Sequence, residues 1–276
     1  MKPITFDDIA ALSFPKKGSH KGQNGRLLII GGSHLFHAAS IWALEVASRV
    51  VDLVHYSSVP ENNELVMSIK KDFHDGIVIP RAHLHDYIDE DDCILIGPGM
   101  TRDDETRFLT HELLTKYPSK QWVIDAGALQ MLELADIPVR AVLTPHHGEF
   151  AGLWEKFVAT HETKEGVSDE EKVAAFTRSY PCILLLKGEI DIVGNQGTCV
   201  SVSGGNEGMT KGGTGDVLAG LIAALSCFND PYRAALAGSF INKAAGDTLY
   251  ASVGPFYNAS DLVAEVPRTM KSLFLR

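Results

Sequence analysis

Five short apolar runs, each ending in glycine or a polar residue, constrain the fold of this chain more than any other feature. Leu27–Ile30 stops at Gly31-Gly32-Ser33, Cys93–Ile96 at Gly97-Pro98-Gly99-Met100, and Trp122–Ile124 at Asp125. Ala141–Leu143 stops at Thr144-Pro145-His146, and Cys182–Leu186 at Lys187-Gly188. Runs this short suit strands buried on both faces, which need no alternation of polar and apolar residues. Helical stretches separate them: Ala38–Val54, the polar span Trp154–Tyr180 with a capping box at Ser168 and Glu171, Pro231–Tyr250, and Ser260–Phe274. Val54–Ser58 and Ile77–Ile79 predict further strands, and 191–202 a hairpin turning at Gly194–Gly197. Strands alternating with helices predict an α/β fold, a three-layer α/β/α arrangement on a mostly parallel sheet, as one domain over residues 1–276. Ligands of such sheets collect beyond the carboxyl ends of the strands, so Gly97–Met100, Asp125 and Thr144–Glu149 mark where a site is expected.

Between the hairpin and Pro231 lies GGNEGMTKGGTGDVLAGLIAALS, residues 204–226. Its first half is crowded with glycine and its second is an apolar helix interrupted only by Gly220. Glycines allow positive φ and close approach of the backbone to a ligand. A helix that starts just after them adds unpaired N–H groups and the positive end of its dipole, which together bind an anion. Asp216 sits at the join, where the positive field favours its ionised form. A carboxylate there could orient or deprotonate a hydroxyl beside a bound phosphate. A tight turn with Asp216 as helix N-cap would account for the same residues. Lys187-Gly188 supports the anion site, since a strand-end lysine can reach a phosphate and the glycine leaves room for a nucleotide.

The formal charge of −10 argues against non-specific binding of nucleic acid or anionic membrane. The N-terminal segment lacks the apolar core of a signal peptide, and no apolar run approaches the roughly 20 residues that span a bilayer. Four cysteines without C-x-x-C spacing, each in an apolar run, predict buried thiols in a reducing cytoplasm. The pairs His34/His37, His83/His85 and His146/His147 lack further ligands at useful spacing, so no transition-metal site is expected. A Walker A loop fails because Lys211 precedes Gly212, and no G-x-S-x-G is present.

The segments NGRLLIIGGS, IGPGM, VIDAGAL, LTPHHGEF, LLLKG and GNEGMTKGGTGDVLAG, in this order, resemble the ADP/ATP-dependent NAD(P)H-hydrate dehydratases of the ribokinase-like superfamily. The resemblance runs from about Gly25 to the last helix and implies repair of hydrated NADH and NADPH at the expense of ADP or ATP, with Mg2+ on the nucleotide phosphates. It implies that Asp216 acts on the substrate hydroxyl, and that Lys187, Gly188, Glu189, Ile190, Asp191, Gly213, Thr214 and Gly215 hold the nucleotide. Ala39, Gly99, His146, Asn206 and Asp216 would face the hydrated dinucleotide. It also implies a homotetramer and an epimerase as a separate functional partner, since no epimerase domain is read in these residues. The family pattern has Asp where Gly127 stands, Pro where His147 stands, and Ala-Thr where Thr210-Lys211 stands; Glu189 and Asp191 make the nucleotide segment unusually acidic.

A hydroxyethylthiazole-kinase-like enzyme would share the fold, the glycine turn and Asp216; LTPHHGEF separates the two and favours the dehydratase. A nucleotide-binding protein without turnover is the other alternative, and Asp216 speaks against it.

Overall fold

The apolar runs form the centre of one ten-stranded sheet. The computed structural model describes residues 1–163 and 166–275. The first third contains β1 (Lys2–Pro3), α1 (Phe6–Ile9), β2 (Arg26–Ile30), α2 (Ala38–Ala47), β3 (Leu53–Ser57), α3 (Pro60–Ile69), β4 (Ile77–Val78) and α4 (Leu84–Ile88). Then come β5 (Cys93–Ile96), α5 (Asp104–Lys116), β6 (Gln121–Ile124), α6 (Ala126–Met131), β7 (Val142–Leu143), α7 (His147–Val158) and α8 (Asp169–Ser179). The last third holds β8 (Ile183–Leu186), β9 (Asp191–Asn195), β10 (Thr198–Val202), α9 (Thr214–Ser226), α10 (Pro231–Val253) and α11 (Ala259–Phe274).

The strand order is β1-β10-β9-β8-β7-β6-β5-β2-β3-β4. All pairs from β8 to β4 are parallel, while β9 runs antiparallel to both β8 and β10. Alternate residues of the central strands enter separate cores. Leu27, Ile29, Leu95, Val123, Val142 and Leu185 pack under α2, α9, α10 and α11. Leu28, Ile30, Ile94, Ile96, Ile124, Leu143 and Leu184 pack under α5, α6, α7 and α8. These strands are therefore buried throughout, which is why they read as unbroken apolar runs.

Helix α9 is the most enclosed: every residue from Val217 to Ser226 is buried. Gly220, which costs helix propensity, is explained by packing. A Cβ there would lie 2.7 Å from the backbone of Ala43, so its absence lets α9 and α2 cross closely.

The structure departs from the sequence reading in several places. The helix predicted to Val54 ends at Ala47, and a turn precedes β3. The polar span Trp154–Tyr180 holds two helices, the second starting at the Ser168 and Glu171 capping box as expected, but the first, α7, begins earlier, at His147; residues 164 and 165 lie outside the described residues. Strand β1 adds to the hairpin by pairing with β10, an edge contact between residues distant in sequence. Cys93 and Cys182 are buried as expected, but Cys199 and Cys227 are only partly so.

Candidate active site

The carboxyl ends of β8, β7 and β6 converge on the start of α9. Beyond the strands proper, Lys187 N–H donates to the Pro145 carbonyl at 2.8 Å and His146 bridges to Lys187, so the sheet register carries on into the loops. A cavity of about 870 Å3 opens here. His146, Lys187, Gly188, Glu189, Asp191, Asn206, Thr214 and Gly215 all contribute to its wall.

The glycine turn has the form an anion site requires. Gly213 has φ 98° and is the N-cap of α9, with no side chain capping the helix. A Cβ on Gly213 would also lie 2.4 Å from the Trp42 ring, so both conformation and space demand glycine. The first-turn N–H groups consequently keep their capacity for a ligand. Asp216 is not the cap but the third residue of the helix, inside its first turn.

The segment 187–191 is a turn held from within. Asp191 accepts from the Gly188 N–H at 2.9 Å and from the Ser239 hydroxyl at 2.7 Å. Lys243 of α10 pairs with Asp191 at 3.3 Å and donates to the carbonyls of Gly188, Glu189 and Gly204 at 3.0, 3.0 and 3.2 Å. The acidity of this segment is thus neutralised at Asp191, while Glu189 and Ile190 are exposed. Lys243 escaped the sequence reading; the only trace of it is a polar Asn242-Lys243 pair interrupting an otherwise small and apolar helix face.

His146 caps α7. Its Nδ1 accepts from the Glu149 N–H at 3.1 Å, and Glu149 accepts in return from the His146 N–H at 2.9 Å. When the ring is neutral, its proton is therefore on Nε2, which lies 3.6 Å from Glu149 Oε1. Asn206 braces the glycine loop: its carboxamide oxygen accepts from Gly208 N–H at 3.0 Å and from the Tyr257 hydroxyl at 2.7 Å.

Charge is concentrated beside the turn. Lys187 pairs with Asp125 at 2.9 Å, and a Cβ on Gly215 would be 3.4 Å from its ammonium. Burial opposes the charge on Lys187, but Asp125, Glu149 and Asp216 outweigh it and hold the amine above its usual range. Asp216 behaves otherwise than the sequence suggested. Burial first, then the charge of Asp125, push its carboxyl up to about 7, against the opposing pull of Lys187. The positive helix end is weaker than desolvation and a like charge together. Asp216 is consequently poised near neutrality, as a general base should be.

Ile190, Gly213 and Asp216 adjoin wall residues without lining the cavity themselves, and Ala39 and Gly99 are off its wall altogether. The last two touch each other beyond the ends of β2 and β5, where a Cβ on Gly99 would lie 3.1 Å from that of Ala39. Further along the same row of strand ends, Gly97 presses against the Asp125 carbonyl.

The family model described as NAD(P)H-hydrate dehydratase matches residues 27–268. The chain belongs to this NAD(P)H-hydrate dehydratase family. It is 33% identical to the ADP-dependent (S)-NAD(P)H-hydrate dehydratase of Nitrosopumilus maritimus, covering 93% of this chain and 92% of that one. It is also 33% identical to the bifunctional NAD(P)H-hydrate repair enzyme of Methanocaldococcus jannaschii, over 97% of this chain and 52% of the relative. The chain therefore spans about half the length of its bifunctional relatives. Its fold is similar to a ribokinase-like superfamily protein of Enterococcus faecalis (TM-score 0.85, 22% identity, 100% and 97% coverage). It is also similar to the Bacillus subtilis ADP/ATP-dependent NAD(P)H-hydrate dehydratase crystallised with ATP and Mg2+ (0.83, 23%, 99% and 98%). The hydroxyethylthiazole kinase of Pyrococcus horikoshii shares the fold less closely (0.64, 15%, 97% and 95%).

The residues that depart from the pattern the resemblance implies are held by local contacts, and at Gly127 a steric limit applies as well. At Gly127 a Cβ would lie 2.2 Å from the Met100 carbonyl oxygen, so an Asp does not fit this backbone. His147 pairs with Asp169 at 3.2 Å and packs over Gly188, whose Cβ would meet it at 2.9 Å. Lys211 turns from the anion site to donate to the Pro255 carbonyl, above the Tyr257 ring. Thr210 only closes its own turn on the Glu207 carbonyl.

Proposed function

We propose that this protein restores hydrated NADH and NADPH to the reduced dinucleotide while consuming ADP or ATP. The observation that carries the reading is Asp216, placed in the first turn of an uncapped helix within electrostatic reach of Lys187, beside a cavity of nucleotide size. Lys187, Gly188, Glu189, Ile190, Asp191, Gly213, Thr214 and Gly215 are proposed to hold the nucleotide. Its terminal phosphoryl group lies against the first-turn N–H groups and the Lys187 ammonium. Ala39, Gly99, His146 and Asn206 are proposed to face the dinucleotide. The row from β8 to β2 crosses four strand spacings, about 19 Å, a length suited to an extended substrate.

Asp216 accepts the proton of the ring hydroxyl as its oxygen bonds to the terminal phosphorus and the bond from that phosphorus to the bridging oxygen breaks. The ring C–O bond then breaks with loss of a proton from the adjacent carbon, restoring the ring double bond and releasing phosphate. Phosphate leaves where hydroxide would not. In such a transfer the protein positions groups and stabilises charge. Among the described residues no three His, Cys, Asp or Glu side chains form a metal cage. Magnesium is therefore proposed only as a companion of the nucleotide phosphates.

ADP is the preferred nucleotide in this reading, following the name of the Nitrosopumilus relative. We also propose a single functional domain over 1–276, a homotetramer, a cytoplasmic setting and an epimerase as functional partner. Among the described residues no helix is long and apolar enough to cross a membrane. The test is absorbance at the reduced-nicotinamide band with hydrated NADH and ADP or ATP. Nucleotide-dependent recovery supports the proposal; none with either nucleotide refutes it and leaves the kinase alternative.

A further inference from the structure

Asp125 lies at the end of β6, only 2% exposed and off the cavity wall. It occupies the N-cap position of α6, yet its side chain caps nothing there. Both hydrogen bonds to Asp125 Oδ1 come instead from the site: Lys187 at 2.9 Å and the Thr144 hydroxyl at 2.8 Å. A carboxylate this buried is stable only if fully partnered. These two bonds aim it at Lys187, and Lys187 in turn rests against Gly215, one residue before Asp216.

We propose that Asp125 is a positioning residue for phosphoryl transfer: it anchors the Lys187 ammonium against the start of α9, where that charge faces both the transferred group and the Asp216 carboxylate. The proposal rests on the reading of Asp216 as the base. The groups facing Asp216 are Asp125 at the end of β6, Lys187 at the end of β8 and Glu149 in α7. Asp125 raises and Lys187 lowers the affinity of Asp216 for its proton, so the pair sets the base from opposite sides. Glu149 and Asp216 also hold charge against Lys187, but it is Asp125, paired with it directly at 2.9 Å, that keeps the ammonium in place for an incoming phosphoryl group.

Carbon-13 NMR titration of the carboxyl groups in the ligand-free protein tests this without turnover, the Asp216 signal being identified by its loss in Asp216→Asn. Its midpoint is expected near 7 in the native chain. Asp125→Asn should move it down by about one unit or more, and Lys187→Met should move it up. Thr144→Val, which removes a hydrogen bond but no charge, should leave it within a few tenths. Midpoints that stay put in Asp125→Asn and Lys187→Met, or shift in the same direction, overturn the proposal. Should Asp125→Asn not fold, Asp125→Glu, which keeps the charge but displaces it, decides: a shifted Asp216 midpoint or a raised nucleotide KM supports the proposal, and native values of both overturn it. In the repair assay the acid limb of kcat/KM should follow the same order, with the nucleotide KM of Asp125→Asn raised about tenfold. An ordered titration in a protein that repairs nothing would sink the functional reading and leave the coupling standing.

Discussion

At Asp216, proposed above as the base, two requirements oppose each other: such a base needs burial beside an acidic neighbour to be basic enough, and that placement costs stability. Its proton affinity is raised in the folded state, to about 7 from an ordinary 3.8, so stability falls as pH rises through that window. Below it both states are protonated and the cost vanishes. Asp216→Asn should therefore lose at least about a hundredfold in repair rate. At pH 8 it should melt a few degrees higher than the native protein, a gain absent below pH 4. Calorimetry at the two pH values checks the sign. For the native enzyme, kcat/KM should fall as pH drops through about 7, as the base takes up its proton.

Among the elements, the start of α9 and the turn at 187–191 do the positioning. Gly213→Ala meets both a positive φ and the Trp42 ring, so it should cost about 2 kcal/mol or more and weaken nucleotide binding. Denaturant unfolding and titration calorimetry read the two effects. Lys243→Met leaves the buried Asp191 carboxylate without its cation and the three carbonyls without their donor. Breaking a buried pair from one side should destabilise by about 3 kcal/mol and raise the nucleotide KM. The central strands β5, β7 and β8 were legible in the sequence because burial on both faces leaves no polar residue inside them, and the glycine turn because Gly213 has no substitute. Asp125 was visible as a strand end but not as the partner of Lys187, 62 positions away. Lys243 left only the trace of a polar pair on an apolar helix face, and nothing local tells a helix lysine that grips buried carbonyls from one in solvent. The ionisation of Asp216 was misjudged for the same reason: its burial, and then the Asp125 carboxylate at the end of β6, come from tertiary packing around α9.

Over the whole molecule, binding energy should appear as stability. A nucleotide held by the folded chain alone, at a hundredfold above its Kd, adds about 2.7 kcal/mol. Thermal shifts with ADP and ATP therefore rank the two nucleotides without substrate, and the shift should shrink in Gly213→Ala. The most direct measurement follows single-turnover release of inorganic phosphate together with nicotinamide absorbance, using hydrated NADH and the preferred nucleotide. One phosphate should appear for each NADH restored, and both signals should vanish in Asp216→Asn. NADH restored without nucleotide cleavage, or phosphate released at the native rate by Asp216→Asn, would contradict transfer to the substrate hydroxyl at this site.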